Sequence, residues 1–454
     1  MAVTAAAAAA VACGALAAPG ADAWTRPATV SAPAATSIVA PQAASSETGA
    51  AAVAYNEVDL DAQATASAFV SLASRHGAFR PAQVVPHVQE VLAVAFSGST
   101  LELLTATAPP GQPCCSTVQV IRRGARSGFG RPQTIVAGVG GGATGNLVPL
   151  GNGRMLAVVG APQGLWATEA QGAGRFGRVR DLTHRGSSPA ALAVTATPDG
   201  ASAVVWTQGA GQNIFGAAAA PGATPSRRHT LLTVAPGHAV DGLEVAAQAE
   251  GLTVVWSESW NDAAGTFHSQ VMASDEAAIT RPLKPRALSA PTDVATTPAL
   301  AGDADGDEVA AWDVCTPTTQ ACVLKSTARR GTGPPAKPRK GKGKGKGKAK
   351  AKAASAKKHS PPWFVAVSGD GPIDPGESPQ LAIAPNRHAL MGWITTGHVV
   401  IAQLGSGASS FGASRPLSGG LADDLVLDIG AGGEAVAGWV QGTAAAQVFA
   451  SRAG

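Results

Sequence analysis

What the sequence lacks narrows its chemistry first. It has no Gly-x-Ser-x-Gly elbow and no phosphate loop, and none of its 9 histidines forms an i,i+4 ligand pair. A nucleophile-elbow hydrolase, a P-loop enzyme and a helix-borne zinc centre are thereby excluded. Charge is scarce, with only 14% of the residues being Asp, Glu, Lys or Arg, while 55 glycines and 32 prolines interrupt every alanine-rich stretch. Long helices are excluded by that punctuation, and turns with short strands are favoured. After the first 23 residues no long apolar run remains, so the mature chain is expected to have no integral membrane segment.

What is present is a repeat. Pro198-Asp199-Gly200-Ala201-Ser202-Ala203-Val204-Val205-Trp206 is a turn followed by a strand ending in tryptophan, and variants end at Trp256, Trp312, Trp393 and Trp439. Weaker copies end at Tyr55, Phe96 and Gly160. Such a period belongs to a unit that stacks on its neighbours because it cannot bury its apolar face alone. A second marker reads Phe79-Arg80-Pro81, Phe129-Gly130-Arg131-Pro132, Phe176-Gly177-Arg178, Thr280-Arg281-Pro282 and Phe411-Gly412. Between the markers each unit resolves into four strand-like runs, such as Ala190–Val194, Ala203–Trp206, Asn213–Ala218 and His229–Val234.

These units predict an all-β fold, a single β-propeller of four-stranded blades over 24–454. Eight blades are expected, or seven if the loose Ala43–Ala51 tract is not part of one; two tandem β-rich domains are the other arrangement. The last unit stops after a third strand, Gln447–Arg452, and Trp24–Val30 reads like the missing fourth. Ring closure by the N-terminal strand follows, and with it an expected monomer, because closure leaves no open edge.

Residues 1–23 read as a secretory signal peptide, with Ala21-Asp22-Ala23 as the cleavage site, although Cys13 allows a lipoprotein reading. Extracellular, secreted location follows, with association to the cell surface as an extension. The cysteines agree: Cys315 and Cys322 flank one strand connection and are expected to form a disulfide. Cys114 and Cys115 form either a vicinal disulfide or free or intermolecular thiols.

Residues 331–362 form a Lys/Gly-rich insertion expected to be a disordered surface loop. It holds 11 lysines and arginines, among them Lys340, Lys342, Lys344, Lys346, Lys348, Lys350 and Lys352, and against a net charge of +4 the rest of the chain carries −7. Two readings stand: attachment to a cell-wall or other extracellular polyanion by counterion release, or a tolerated low-complexity expansion. Asp303, Asp305 and Asp307 alternate on a glycine turn, either as a calcium site or as a plain acidic hairpin turn.

The Phe-Gly-x-Pro marker with Gly-x-Ala-Val-Val-Ala-Trp resembles uncharacterised exported β-propeller-like repeat proteins of high-GC actinobacteria over most of 24–454. That resemblance implies fold and export and carries no activity. The expected function is an extracellular binding or scaffold protein of unknown ligand, favoured over an enzyme, whose activity the sequence leaves open. The alternative is a polysaccharide-acting hydrolase or lyase with carboxylates from several blades at the propeller axis.

Overall fold

In the computed structural model the described residues lie within 24–453, apart from 33–36, 59–66, 109–115, 125–126, 184–188, 249–250, 332–363, 366–370, 406–407 and 443–445, and single positions 173, 198, 209, 277, 304, 386 and 409. The signal peptide, Cys13, Cys114, Cys115 and all the lysines of the basic insertion lie outside the described residues. Among the described residues, no helix is long and apolar enough to cross a membrane.

The chain forms eight antiparallel sheets round a common axis, an eight-bladed β-propeller. Blade four shows the plan: Leu192–Ala196, Ser202–Gln208, Asn213–Ala219 and His229–Thr233 pair in chain order. The first strands touch in a closed ring: Ser37–Ser45, Glu90–Ser97, Thr144–Pro149, Leu192–Ala196, His238–Gln248, Ala295–Gly302, Gln380–Ile383, Ala422–Ile429, and back to Ser37–Ser45. They therefore line the axis. Alternation of direction puts the starts of the first strands and the second-to-third connections at one end of the ring, here called the mouth. First-to-second and third-to-fourth connections lie at the far end.

The opening unit is a full blade, with Ser37–Ser45 paired to Ala51–Val58 across a bulge between Val39 and Gln42. Its alanines suit an innermost strand, where neighbouring blades approach closely; Ala44 is 4% exposed. Closure follows the expected route. Ala28 pairs with Ala450 and Thr29 with Phe449, completing the sheet of Ala422–Ile429, Ala435–Gln441 and Gln447–Ala453. The Ser31 hydroxyl accepts from the Val448 amide at 2.8 Å, and Ser451 Oγ donates to the Thr25 carbonyl at 2.7 Å.

Trp206, Trp256, Trp312, Trp393 and Trp439 all sit on second strands, are at most 5% exposed, and pack against the preceding blade. Trp256 lies with Val205, Ile214 and Leu231 of blade four, and Trp439 with Leu390, Val399 and Ile401 of blade seven. Tyr55 does the same, against Val436 and Val448. Burial of a flat aromatic between diverging sheets fills the gap that widens away from the axis.

Two weaker repeat positions need correction. Phe96 ends the first strand of blade two, Glu90–Ser97, whose second strand is Thr100–Thr107. An apolar run ending in an aromatic looks the same in either strand. In blade three it is Val159 that packs back on blade two, whereas Gly160 faces Pro189 and Leu192 of blade four. The Phe-Gly marker forms the third-to-fourth connection. Gly130 and Gly177 amides donate to the carbonyls of Arg122 and Glu169 at 2.7 and 2.9 Å, and a Cβ at Gly130 would meet that oxygen at 3.3 Å.

Candidate functional site at the mouth of the ring

Carboxyl groups from separate blades gather at the mouth. Blade eight brings Asp423 and Asp424 at the start of its first strand, where the pairing slips between Asp423 and Val426 and Asp424 adopts a φ of 52°. A bulge with a left-handed non-glycine residue costs local stability and re-aims the adjoining side chains. Just before the first strand of blade seven, Asp374 accepts from the Thr396 and Gly397 amides at 2.6 Å each, fixing the turn that carries Glu377. The Glu377 amide in turn donates to the Asp374 carbonyl at 3.1 Å.

The side chains of Glu377 and Asp423 meet, a contact that favours the protonated form of Glu377. Partial burial and the charges of Asp423, Asp424 and Asp374 push Glu377 up to about 7. Asp424 is also raised, by burial and by Asp423. Glu90, at the start of the first strand of blade two, and Glu57, near the end of the second strand of blade one, are raised by burial. Deeper along the axis Glu244, on the first strand of blade five, is pushed up to about 8 by burial. Blades seven, eight, one and two thus contribute weakened acids to one end of the ring.

Blade five adds a ladder of rings at the same end. His238, Trp260 and His268 are cross-strand neighbours, with Trp260 stacked on His238 at 4.9 Å and on His268 at 5.4 Å. Each imidazole has a carboxylate, Glu258 at 2.6 Å from His238 Nδ1 and Asp262 at 3.1 Å from His268 Nε2.

In blade six Asp313, Cys315 and Cys322 bring ligand-type atoms within 4.8 Å of one another, a grouping able to hold a metal ion as far as spacing goes. Cys315 and Cys322 face each other across the strands and are joined as the expected disulfide. In that form neither sulfur is a thiolate, the species that binds metal. Asp313 is 3% exposed and accepts hydrogen bonds from Thr296 and Thr297.

The Asp303–Asp307 turn lies at the far end. Asp303 Oδ1 accepts the amides of Asp305 and Asp307 at 3.0 Å each, and Asp307 Oδ1 accepts that of Gly331 at 2.8 Å. Arg387 Nε stands 2.6 Å from Asp307 Oδ2, and its Nη2 is 3.8 Å from Asp305. Burial, with the charges of Asp307 and Asp305, pushes Asp303 up to about 6.

The expectation of a protein without catalytic groups is therefore corrected. It rested on there being no convergent set, and the folded chain groups Asp313 with Cys315 and Cys322 and seats Glu377 against Asp423. The mouth carboxyls escaped the sequence because they are far apart along it and follow no motif.

No family model and no curated protein matches the sequence. Similar solved structures include an α-L-arabinanase of Penicillium chrysogenum, 10% identical over 94% of this chain and 98% of that one, with a TM-score of 0.39. A polysaccharide lyase described as an ulvan lyase is 9% identical over 80% and 93%, with a TM-score of 0.44. A protein of unknown function from Dyadobacter fermentans is 11% identical over 68% and 98%, with a TM-score of 0.37.

Proposed function

We propose that the protein is a polysaccharide-acting hydrolase whose reaction takes place at the mouth of the propeller. The observation that carries this reading is the contact of Glu377 with Asp423, which together with burial and the neighbouring acidic charges pushes Glu377 up to about 7. Glycosidic bond cleavage needs one carboxylic acid to protonate the leaving oxygen and one carboxylate to act as base or nucleophile. Glu377, protonated below about pH 7, is the acid. Asp423, in contact with Glu377, positions that acid, and Asp424, exposed next to it, supplies the carboxylate.

The charge of the mouth selects the substrate. The charges of Asp374, Asp423 and Asp424 surround Glu377, and that acidic field opposes a polyuronate or sulfated glycan. A neutral polysaccharide is the class that fits, and hydrolysis is favoured over lyase elimination, which acts on a uronate. The Cys315–Cys322 disulfide supports an exported enzyme acting outside the cell.

The test is incubation with a panel of neutral polysaccharides and polyuronates, reading new reducing ends and absorbance near 235 nm. Reducing ends from a neutral polymer, abolished by Glu377→Gln, support hydrolysis. An unsaturated product from a polyuronate indicates elimination and overturns the substrate class, and a Glu377→Gln protein with full activity overturns the assignment.

A further inference from the structure

At the far end, on the opposite side of the ring from the carboxyl groups, the closure seam encloses a cavity of about 370 Å³. The N-terminal segment contributes Arg26, the third-to-fourth connection of blade one contributes Arg75 and His76, and blade eight contributes Glu434 and Arg452. Three guanidinium groups thus face a single carboxylate. Arg75 stands 3.7 Å from Glu434 and is exposed, while Arg26 is exposed and makes no hydrogen bond or ion pair among the described residues.

Arg452 is built in, being 6% exposed. Its guanidinium donates to the carbonyls of Ser74, Gly49 (3.0 Å) and Gly77 (3.4 Å), so its position is fixed while its charge is shared with no bonded carboxylate. Glu434 lines the cavity with its Oε2 sealed from solvent, so the acceptor it offers a ligand is Oε1, 3.7 Å from Arg75 Nε. A cavity with a surplus of guanidinium forks beside one carboxylate acceptor is suited to an oxyanion that carries a hydroxyl. Phosphate supplies the anion and a polyol supplies the hydroxyl.

We propose that this seam cavity binds the phosphate ester of a polyol. Arg26 and Arg75 hold the phosphoryl oxygens, Arg452 supplies a fixed positive field, and Glu434 accepts a hydroxyl of the ester. The volume accommodates more than a bare phosphate.

The experiment is thermal melting at constant ionic strength with inorganic phosphate or glycerol phosphate as titrant. Glycerol phosphate should raise the Tm saturably and with higher affinity than inorganic phosphate. The Arg26→Ala/Arg75→Ala protein should keep its ligand-free Tm, since both side chains are exposed, and lose affinity on the order of tenfold or more per guanidinium. Glu434→Gln should weaken the ester, while inorganic phosphate, relieved of a neighbouring carboxylate, should bind no more weakly. Equal responses to both titrants would place free phosphate in the cavity and overturn the ester. No saturable shift, or a shift surviving the double substitution, would overturn the site itself.

Discussion

Replacing Trp256 with alanine tests how the blades are held together. The indole is fully buried between its own strand, Gly251–Asn261, and the Val205, Ile214 and Leu231 surface of blade four, so truncation opens a cavity between two rigid sheets. Aromatic-to-alanine changes in such cores cost about 3–5 kcal/mol. For a chain of 454 residues the unfolding entropy is about 1 kcal/mol/K, so the melting temperature should fall by about 3–5 °C. Differential scanning calorimetry is the assay, with Phe267→Ala as control because Phe267 is 48% exposed and should be near neutral. A Trp256→Ala protein that melts with wild type would refute the role of these tryptophans as inter-blade packing.

Arg329→Ala should cost about 3–5 kcal/mol in denaturant unfolding, because Arg329, 2.5 Å from Glu308 and 2.7 Å from Asp275, is the buried partner that offsets their charge. Glu244 is raised to about 8 in the fold, so between about 4.5 and 8 the native state holds more protons than the unfolded one and stability falls as pH rises through that window. Glu244→Gln should flatten that fall, and melts at pH 5 and pH 9 check it. Millimolar calcium on wild type and D305A decides the Asp303–Asp307 turn: a rise in Tm lost in D305A places the ion there, and unchanged curves leave a hairpin turn. Deleting 338–358 should leave the Tm nearly unchanged, since Thr327 pairs with Val365 across the insertion, and should lower the salt at which the protein leaves a heparin column.

The fold was legible because tryptophan recurs at one structural position, where only a large flat side chain fills the gap between blades. Blade two carries no tryptophan, and its Phe96 run lies on the first strand although its pattern matches the second: both strands are apolar, and only pairing distinguishes them. Ring closure was legible because a missing fourth strand and a spare one can be matched by pattern. The mouth was not legible. Glu57, Glu90, Glu377 and Asp423 come from four blades, each at a strand end where an acidic residue looks like an ordinary solvated turn. Stacking of blade seven on blade eight brings Glu377 and Asp423 together. Asp303, Asp305 and Asp307 show the opposite case, adjacent in sequence yet occupied by backbone amides and Arg387.

The measurement that tests the central claim most directly is the pH dependence of neutral polysaccharide cleavage by the wild-type and Glu377→Gln proteins. With Glu377 as the acid, the wild-type rate should fall about tenfold per pH unit once the pH is well above about 7, and Glu377→Gln should lose the rate and that limb together. A rate that stays flat through pH 8, or a Glu377→Gln protein that retains the wild-type profile, would contradict it.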